Sequence, residues 1–512
     1  LIYAAKNNSG SESDKTALEN KRGAAVAFTA DIEADATAQL AYTADDADAF
    51  TTAKTFITGV TTTAATAAEV DTQVSTIKTT YTTNNAKGVT YTATTDADTF
   101  TGAAKNDTFV GVIDANTAGN DTFTALDTID GGAGTDTLYV TYEVDGGANA
   151  AFPSATISNV ETFKIRNSEA NEATINFATI TGETSLNNYL SIGLLDANSL
   201  ASGTDLTITG NASITNGASE FDYLAAATSS SLAFAGGTVG TGAVTITGTG
   251  LLTQTITSTG AANATGNLTL AATTTAVTID STTLLTTATV AADAGATLTI
   301  TGAGGADLNS AAFPDTFITI DGSAATGDID IAPGNVAEAT DPSTVDIADI
   351  TVTLGSGNDE LDLSNVVTGR EISANVGNGN DKVTIGTALV NSSSTLAGDI
   401  IDGGEGTDVL QMTTAIANGH ATTTGVSNFE TIEISDHLNH TLQVADFGTG
   451  ISTVNLNTGQ TTNGAITFNA GASVVNLGDE VDTAFTVTDT GTATTDSITF
   501  NDTDADDVDI ID

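Results

Sequence analysis

The chain has 512 residues and a formal net charge of −52, from 12 basic against 64 acidic residues, so repulsion excludes nucleic acid and anionic membrane surfaces as partners. Forty per cent of the residues are hydrophobic, enough for a core, while Trp and Cys are absent and Pro occurs four times. Abundant β-branched residues exclude an acidic disordered chain, and the lack of an 18-residue apolar run argues against a transmembrane segment.

Residues 1–83 read as a helical module. Thr66-Ala67-Ala68-Glu69 fits a capping box, and Ala67, Val70, Val74, Ile77 and Tyr81 follow at helical spacing. Phe50, Ala53, Ile57 and Val60 form an earlier stripe, and Leu18, Ala25, Phe28 and Ile32 a looser one. Three short helices packed on one another are expected. Seven of the basic residues lie in residues 1–87 against eleven acids; five lie in the remainder against 53. Two physical regimes share the chain.

From about residue 88 the pattern changes to short alternating strands punctuated by Gly, Asn and Asp. The triplets Leu268-Thr269-Leu270, Val277-Thr278-Ile279, Ala288-Thr289-Val290 and Leu298-Thr299-Ile300 start 9, 11 and 10 residues apart. Alternation turns the apolar residue inward and Thr outward. Strands this short and regular suit a sandwich or a β-solenoid whose faces each take one triplet, and small interior residues favour the solenoid. The expected class is mainly β: a small N-terminal helical module, then a calcium-binding parallel β-solenoid or β-roll with β-sandwich-like segments. The expected divisions are 84–166 and 351–440 as calcium-binding units, 167–350 as a Thr/Ala/Gly-rich solenoid or sandwich, and 441–512 as a C-terminal β region.

Residues 129–140, IDGGAGTDTLYV, return at 401–412 as IDGGEGTDVLQM. Ser158-Asn159-Val160-Glu161-Thr162 likewise returns as Ser427-Asn428-Phe429-Glu430-Thr431, which points to a duplicated unit. Glu161 and Glu430 read first as outward strand residues, with a ligand role as the alternative. The turns fit GGxGxDxU, the calcium-binding repeat of parallel β-rolls: glycines bend the backbone so carbonyls converge, and Asp adds a carboxylate. The candidate calcium ligands are Asp130, Gly132, Gly134 and Asp136; Gly355, Gly357, Asn358 and Asp359; Gly377, Gly379, Asn380 and Asp381; and Asp402, Gly404, Gly406 and Asp408. Partial forms occur at Asn106-Asp107 and Asn120-Asp121, with Gly304-Gly305-Ala306-Asp307-Leu308 as a degenerate cousin. Stacking of neighbouring turns is expected, with several scattered Ca2+ ions rather than a continuous row. Such a chain would stay loose in low-calcium cytosol and fold outside the cell.

The Thr-, Ala- and Gly-rich composition without Cys, with TGAAKNDTFVGV (101–112), LDTIDGGAGTDTLYV (126–140) and ISNVETFKI (157–165), resembles the type I-secreted surface-layer (S-layer) proteins of Gram-negative bacteria, which carry RTX-type calcium turns. Residues 1–83, with LIYAAKNNSG and LENKRGAAVAFTADIEA, are similar to the end of their helical module; residues 167–350 match in composition alone. The resemblance implies a secreted, self-assembling, calcium-crosslinked lattice on the cell surface, a homo-oligomer whose N-terminal part holds surface lipopolysaccharide. It implies no enzymatic activity. A C-terminal secretion signal belongs to the family, and NDTDADDVDIID (501–512) has no clear match to one. The absence of Cys fits a cytosolic chain or one-step export to the outside. The chain begins at Leu1 and its only methionine is Met412, so a longer precursor is expected and the missing signal peptide decides little.

The alternatives are an RTX-type secreted adhesin, an ice-binding protein, and a secreted β-helix polysaccharide-modifying enzyme. An adhesin would show many near-identical tandem domains. Thr207-Ile208-Thr209, Thr245-Ile246-Thr247 and Thr299-Ile300-Thr301 are spaced too irregularly for a lattice-matched ice face. Neither HExxH nor GxSxG occurs. His420, His437 and His440 are the only histidines, and Asp436-His437-Leu438-Asn439-His440 reads as an exposed loop before it reads as a zinc site.

Overall fold

The computed structural model describes residues 12–502 apart from 44–46, 115, 116, 118, 144–148, 241, 294, 310–316, 334–349, 367–371, 387–399, 420–424, 459–463, 470, 479–485 and 491–495. LIYAAKNNSG at the start, Arg370, His420 and residues 503–512 therefore lie outside the described residues.

Among the described residues four helices come first: α1 (Glu12–Ala34), α2 (Ala36–Thr43), α3 (Ala47–Gly59) and α4 (Ala67–Ala86). Phe28, Ile32, Ala38, Ala41, Ala53, Val70, Val74 and Ile77 form their common core. The capping box is present: Thr66 N–H donates to Glu69 Oε2 (2.7 Å) and Glu69 N–H to Thr66 Oγ1 (3.3 Å). Where three helices are expected, the described residues hold four, because α2 packs through Ala38 and Ala41, too small to stand out as a stripe. Phe50 is 62% exposed, so it does not join the core, and Ala24 rather than Ala25 is buried. No helix among the described residues is long and apolar enough to cross a membrane.

Helix α4 runs directly into the strand Lys87–Thr92, where a parallel β-solenoid begins. Among the described residues two long sheets of 15 and 16 strands carry it, with three small sheets beside them. The chain alternates between the long sheets, as in Thr162–Asn167 (first sheet), Ala173–Asn176 (second), Ser185–Tyr189 (first) and Leu195–Leu200 (second). The strands pair in parallel with the strand one coil further on, which a hairpin-built sandwich cannot do, so the solenoid also accounts for the described residues of 167–350. The four triplets fall alternately on the second and first sheets, which makes their 9-to-11-residue spacing half a coil.

Alternation fills the interior. Val277, Ile279, Leu298 and Ile300 are fully buried or nearly so, while Thr278 and Thr299 face outward as direct cross-strand neighbours. Ala288 departs from the expected pattern: the alternation slips in Leu285–Ala291, and Thr287 turns inward, donating to the Gly266 carbonyl (2.8 Å). One apolar core runs from Phe109 to Leu477. Among the described residues between 185 and 308 the buried polar side chains are neutral. Asn188 Nδ2 donates to Ser219 Oγ (2.8 Å), and the Asn263 side chain accepts from Thr238 N–H (2.8 Å) and donates to Ser258 Oγ (2.9 Å). Among the described residues the buried carboxylates lie on either side of this stretch.

Candidate metal centres

Two columns of turns stack along the solenoid. In the second, Asp359, Asp381 and Asp408 are buried on successive coils, and each carboxylate reaches back to the coil before it. Asp359 Oδ1 accepts from Ile329 N–H (2.7 Å), Asp381 Oδ1 from Asp359 N–H (2.7 Å) and Asp408 Oδ1 from Asp381 N–H (2.8 Å). The preceding residue bolts the opposite way. Asn358 Oδ1 accepts from Asn380 N–H (2.9 Å) and Asn380 Oδ1 from Thr407 N–H (3.0 Å), both on the following coil. An Asn-Asp pair thus ties one turn to both neighbours.

The first column repeats this arrangement. Asp107 Oδ1 accepts from Val89 N–H (2.6 Å), Asp136 Oδ1 from Asp107 N–H (2.6 Å), and Asn106 Oδ1 from Thr135 N–H (2.9 Å). Both columns end on glutamate: Glu161 Oε2 accepts from Asp136 N–H and Glu430 Oε2 from Asp408 N–H, each at 2.8 Å. Glu161 and Glu430 therefore sit in turns ahead of their strands and are not outward strand residues. The duplication extends to the flanks, where Asp130 accepts from Asn159 Nδ2 (2.7 Å) and Asp402 from Asn428 Nδ2 (2.6 Å), with both asparagines left-handed (φ 52° and 58°). The two copies occupy different corners, since Asp136 leads into the first sheet and Asp408 into the second.

Glycine is required by the stacking. Gly404 and Gly406 have φ of 88° and 155°, and a Cβ on either would overlap the carbonyl oxygen of Gly377 or Gly379 on the preceding coil. Gly355 and Gly357 lack a left-handed φ, and their need is close approach: a Cβ on Gly355 would strike the Ala325 carbonyl. Gly132, Gly134, Gly377 and Gly379 combine both reasons.

The carboxylates are only half satisfied. Asp136, Asp359, Asp381 and Asp408 each keep Oδ2 buried with no hydrogen-bond partner, and the Gly355 N–H leans toward Asp359 without reaching bonding geometry. Burial, reinforced by the neighbouring carboxylates, pushes Asp381 up to about 7, and Asp359 and Asp408 to about 6. Asp136 is raised for the same reasons. Two such charges one coil apart, roughly 4.8 Å, repel by about 3 kcal/mol at an effective dielectric constant of about 20. Buried Asp127 makes the contrast: its Oδ1 accepts from Asp98 N–H (2.9 Å) and its Oδ2 from Thr124 N–H (2.6 Å), so it has no spare oxygen. Asp107 is likewise complete, its Oδ2 accepting from Ala103 N–H (2.7 Å).

Not every expected ligand joins a column. The coil step in the first runs from Asp107 to Asp136, and Asp121 lies between them in an excursion. There Asp121 accepts from Asp114 N–H (2.6 Å) while Asn120 donates to Asp114 (3.0 Å). Asp307 lies on the strand Ala306–Leu308, not in a turn. Asp328 was missed: its Oδ1 accepts from Asn358 N–H (2.7 Å), opening the second column one coil early. Its signal was Gly327 directly before it, in a turn without the flanking motif. Thr207-Ile208-Thr209 and Thr299-Ile300-Thr301 lie on the first sheet and Thr245-Ile246-Thr247 on the second, so the three share no face. His440 Nδ1 meets Thr414 Oγ1 (3.1 Å), and burial lowers its basicity.

Among the described residues no three His, Cys, Asp or Glu side chains converge as a metal cluster. Each turn offers one buried carboxylate, and further ligands would be backbone carbonyls of the glycine turns or the more exposed Asp130 and Asp402. An all-oxygen donor set of that kind suits a hard cation better than zinc. The Oδ2 atoms of Asp136, Asp359, Asp381 and Asp408, closed to solvent yet unpartnered, are the oxygens such a cation would use. No protein-family model matches the chain, and no curated protein matches it.

Proposed function

We propose that the chain is a structural, non-enzymatic subunit of a secreted, calcium-dependent surface layer that assembles with copies of itself on a bacterial cell. The observation that carries this reading is the set of four buried aspartate oxygens without partners, aligned along stacked glycine turns. Calcium at Asp136, Asp359, Asp381 and Asp408 would supply the missing positive charge. The Gly132, Gly134, Gly377, Gly379, Gly404 and Gly406 turns would offer the carbonyls. A site bathed at about ten times its dissociation constant adds about 1.4 kcal/mol of stability, so a few sites rival the stability of a domain. The rigid, Thr-faced rod supports a lattice role, and the helical module is the part assigned to lipopolysaccharide at the cell surface.

Electron microscopy of purified chain in millimolar calcium, then in chelator, tests this. Ordered sheets that form with calcium and dissolve without it are expected. Monodisperse particles in calcium, with or without hydrolytic activity toward polysaccharide, would overturn it.

A further inference from the structure

Lys164 and Arg166 are two of the five basic residues after position 87, and both point outward from the strand Thr162–Asn167 of the first sheet. Lys164 Nζ lies 3.5 Å from the Tyr189 ring centroid and 4.8 Å from that of Tyr139, and the two rings meet edge-on at 6.0 Å. Lys382, by comparison, pairs with Glu360 at 3.1 Å. Neither Lys164 nor Arg166 has an ion pair among the described residues, and Arg166 Nε has no hydrogen-bond partner. The tyrosines hold Lys164 in place, so little side-chain entropy remains to be lost on binding.

The other side of the same coils is acidic. Asp196 and Glu220 are direct cross-strand neighbours on the second sheet, with Asp222 two residues along and Glu172 one coil back. Like charges placed opposite one another in a sheet are destabilising, and none of these four forms an ion pair among the described residues. Burial first, then the charges of Glu172 and Asp222, raises Asp196 above the usual carboxylate range. Because the two sheets share one core, the basic and acidic patches point away from each other at nearly the same height on the rod.

We infer that copies of the chain dock side by side, the Tyr139–Lys164–Arg166–Tyr189 patch of one against the Asp196–Glu220–Asp222 patch of the next. This rests on the surface-layer reading and names one of its lateral contacts. The partner is a second copy because this chain itself presents the complementary charge at the matching height. Such a contact is heterologous and does not close, since each docked copy still offers both patches, so it propagates a row of parallel rods. Asp205, on the neighbouring strand of the first sheet and already bonded to Ser231 Oγ, bounds the basic patch.

The test uses the full chain in millimolar calcium, with assembly read by electron microscopy and sedimentation, and folding by circular dichroism. Lys164→Glu with Arg166→Glu is expected to fold like the wild type, lose the rows and weaken association at least about tenfold. Asp196→Lys with Glu220→Lys is expected to do the same, and all four substitutions together to restore the rows. Arrays unchanged by Lys164→Glu with Arg166→Glu would overturn this contact and leave the surface-layer reading standing. Failure of the fourfold variant to recover would overturn the pairing of these two patches. A wild type that folds with calcium yet forms no array would overturn both readings.

Discussion

At the scale of single residues, what separates Asp381 from Asp127 is one oxygen. Both are buried, but Asp127 spends both oxygens on backbone N–H groups and Asp381 spends one. Asp381→Asn keeps the bond to Asp359 N–H and removes a charge lying between Asp359 and Asp408. In chelator at pH 7.5 the variant should be at least as stable as the wild type. In calcium it should lose the contribution of one site, about 1.4 kcal/mol at ten times the dissociation constant, as read by urea unfolding. Asp127→Asn should cost about 1–3 kcal/mol in either condition, because one N–H loses its acceptor. The pH response follows from the same groups. Folded values of about 6, 7 and 6 for Asp359, Asp381 and Asp408 exceed the unfolded value of about 3.9. The folded state therefore binds extra protons between those limits, and calcium-free stability is highest below the window and falls as pH rises through it. Unfolding midpoints at pH 5 and 7.5 in chelator should show that fall. Millimolar calcium should reverse it, since the ion requires ionised carboxylates.

At the scale of the turn, two glycines with similar backbones distinguish conformational strain from stacking. Gly182 (φ 97°) has open space where a Cβ would stand, whereas a Cβ on Gly404 (φ 88°) would run into the Gly377 carbonyl. Gly182→Ala should cost about 1–2 kcal/mol, the left-handed penalty alone. Gly404→Ala should cost distinctly more and weaken calcium binding, because the coil must move away from its neighbour. Equal losses in a denaturant titration would mean that coil contact contributes nothing there. The Asn-Asp pair follows the same logic. Asn precedes Asp at 358 and 380, where another aspartate turn follows; Thr replaces it at 135 and 407, where the next coil presents glutamate.

At the scale of the molecule, a solenoid is stabilised by contacts between successive coils, so regions respond separately to a local change. Between residues 185 and 308 the described buried polar side chains are neutral over the same apolar core, and the columns of aspartates lie on either side. Chelation should therefore open amides around 89–161 and 329–430 while strands between 185 and 308 keep their protection, as measured by hydrogen exchange. Simultaneous loss of protection along the whole rod would show that the aspartate columns do not act locally. The helical module, with its own core, should be indifferent to calcium.

By itself the sequence determined the interior and the kind of turn. Period-two alternation put Val277, Ile279, Leu298 and Ile300 inside, half-coil spacing set two strands per coil, and the glycine-aspartate motif marked turns such as 404–408, because these depend on near neighbours along the chain. Only the tertiary structure decided which turns meet. The coil step is 29 residues from Asp107 to Asp136, 22 from Asp359 to Asp381 and 27 from Asp381 to Asp408, since excursions of unequal length lie between the strands. The short interval from Asp107 therefore points to Asp121 instead of Asp136 as the next coil, Asp328 carries no flanking motif, and local pattern leaves Glu161 and Glu430 between an outward strand position and a ligand role. The unpaired oxygens are likewise a tertiary property: whether a buried carboxylate has a second partner depends on the coil stacked against it.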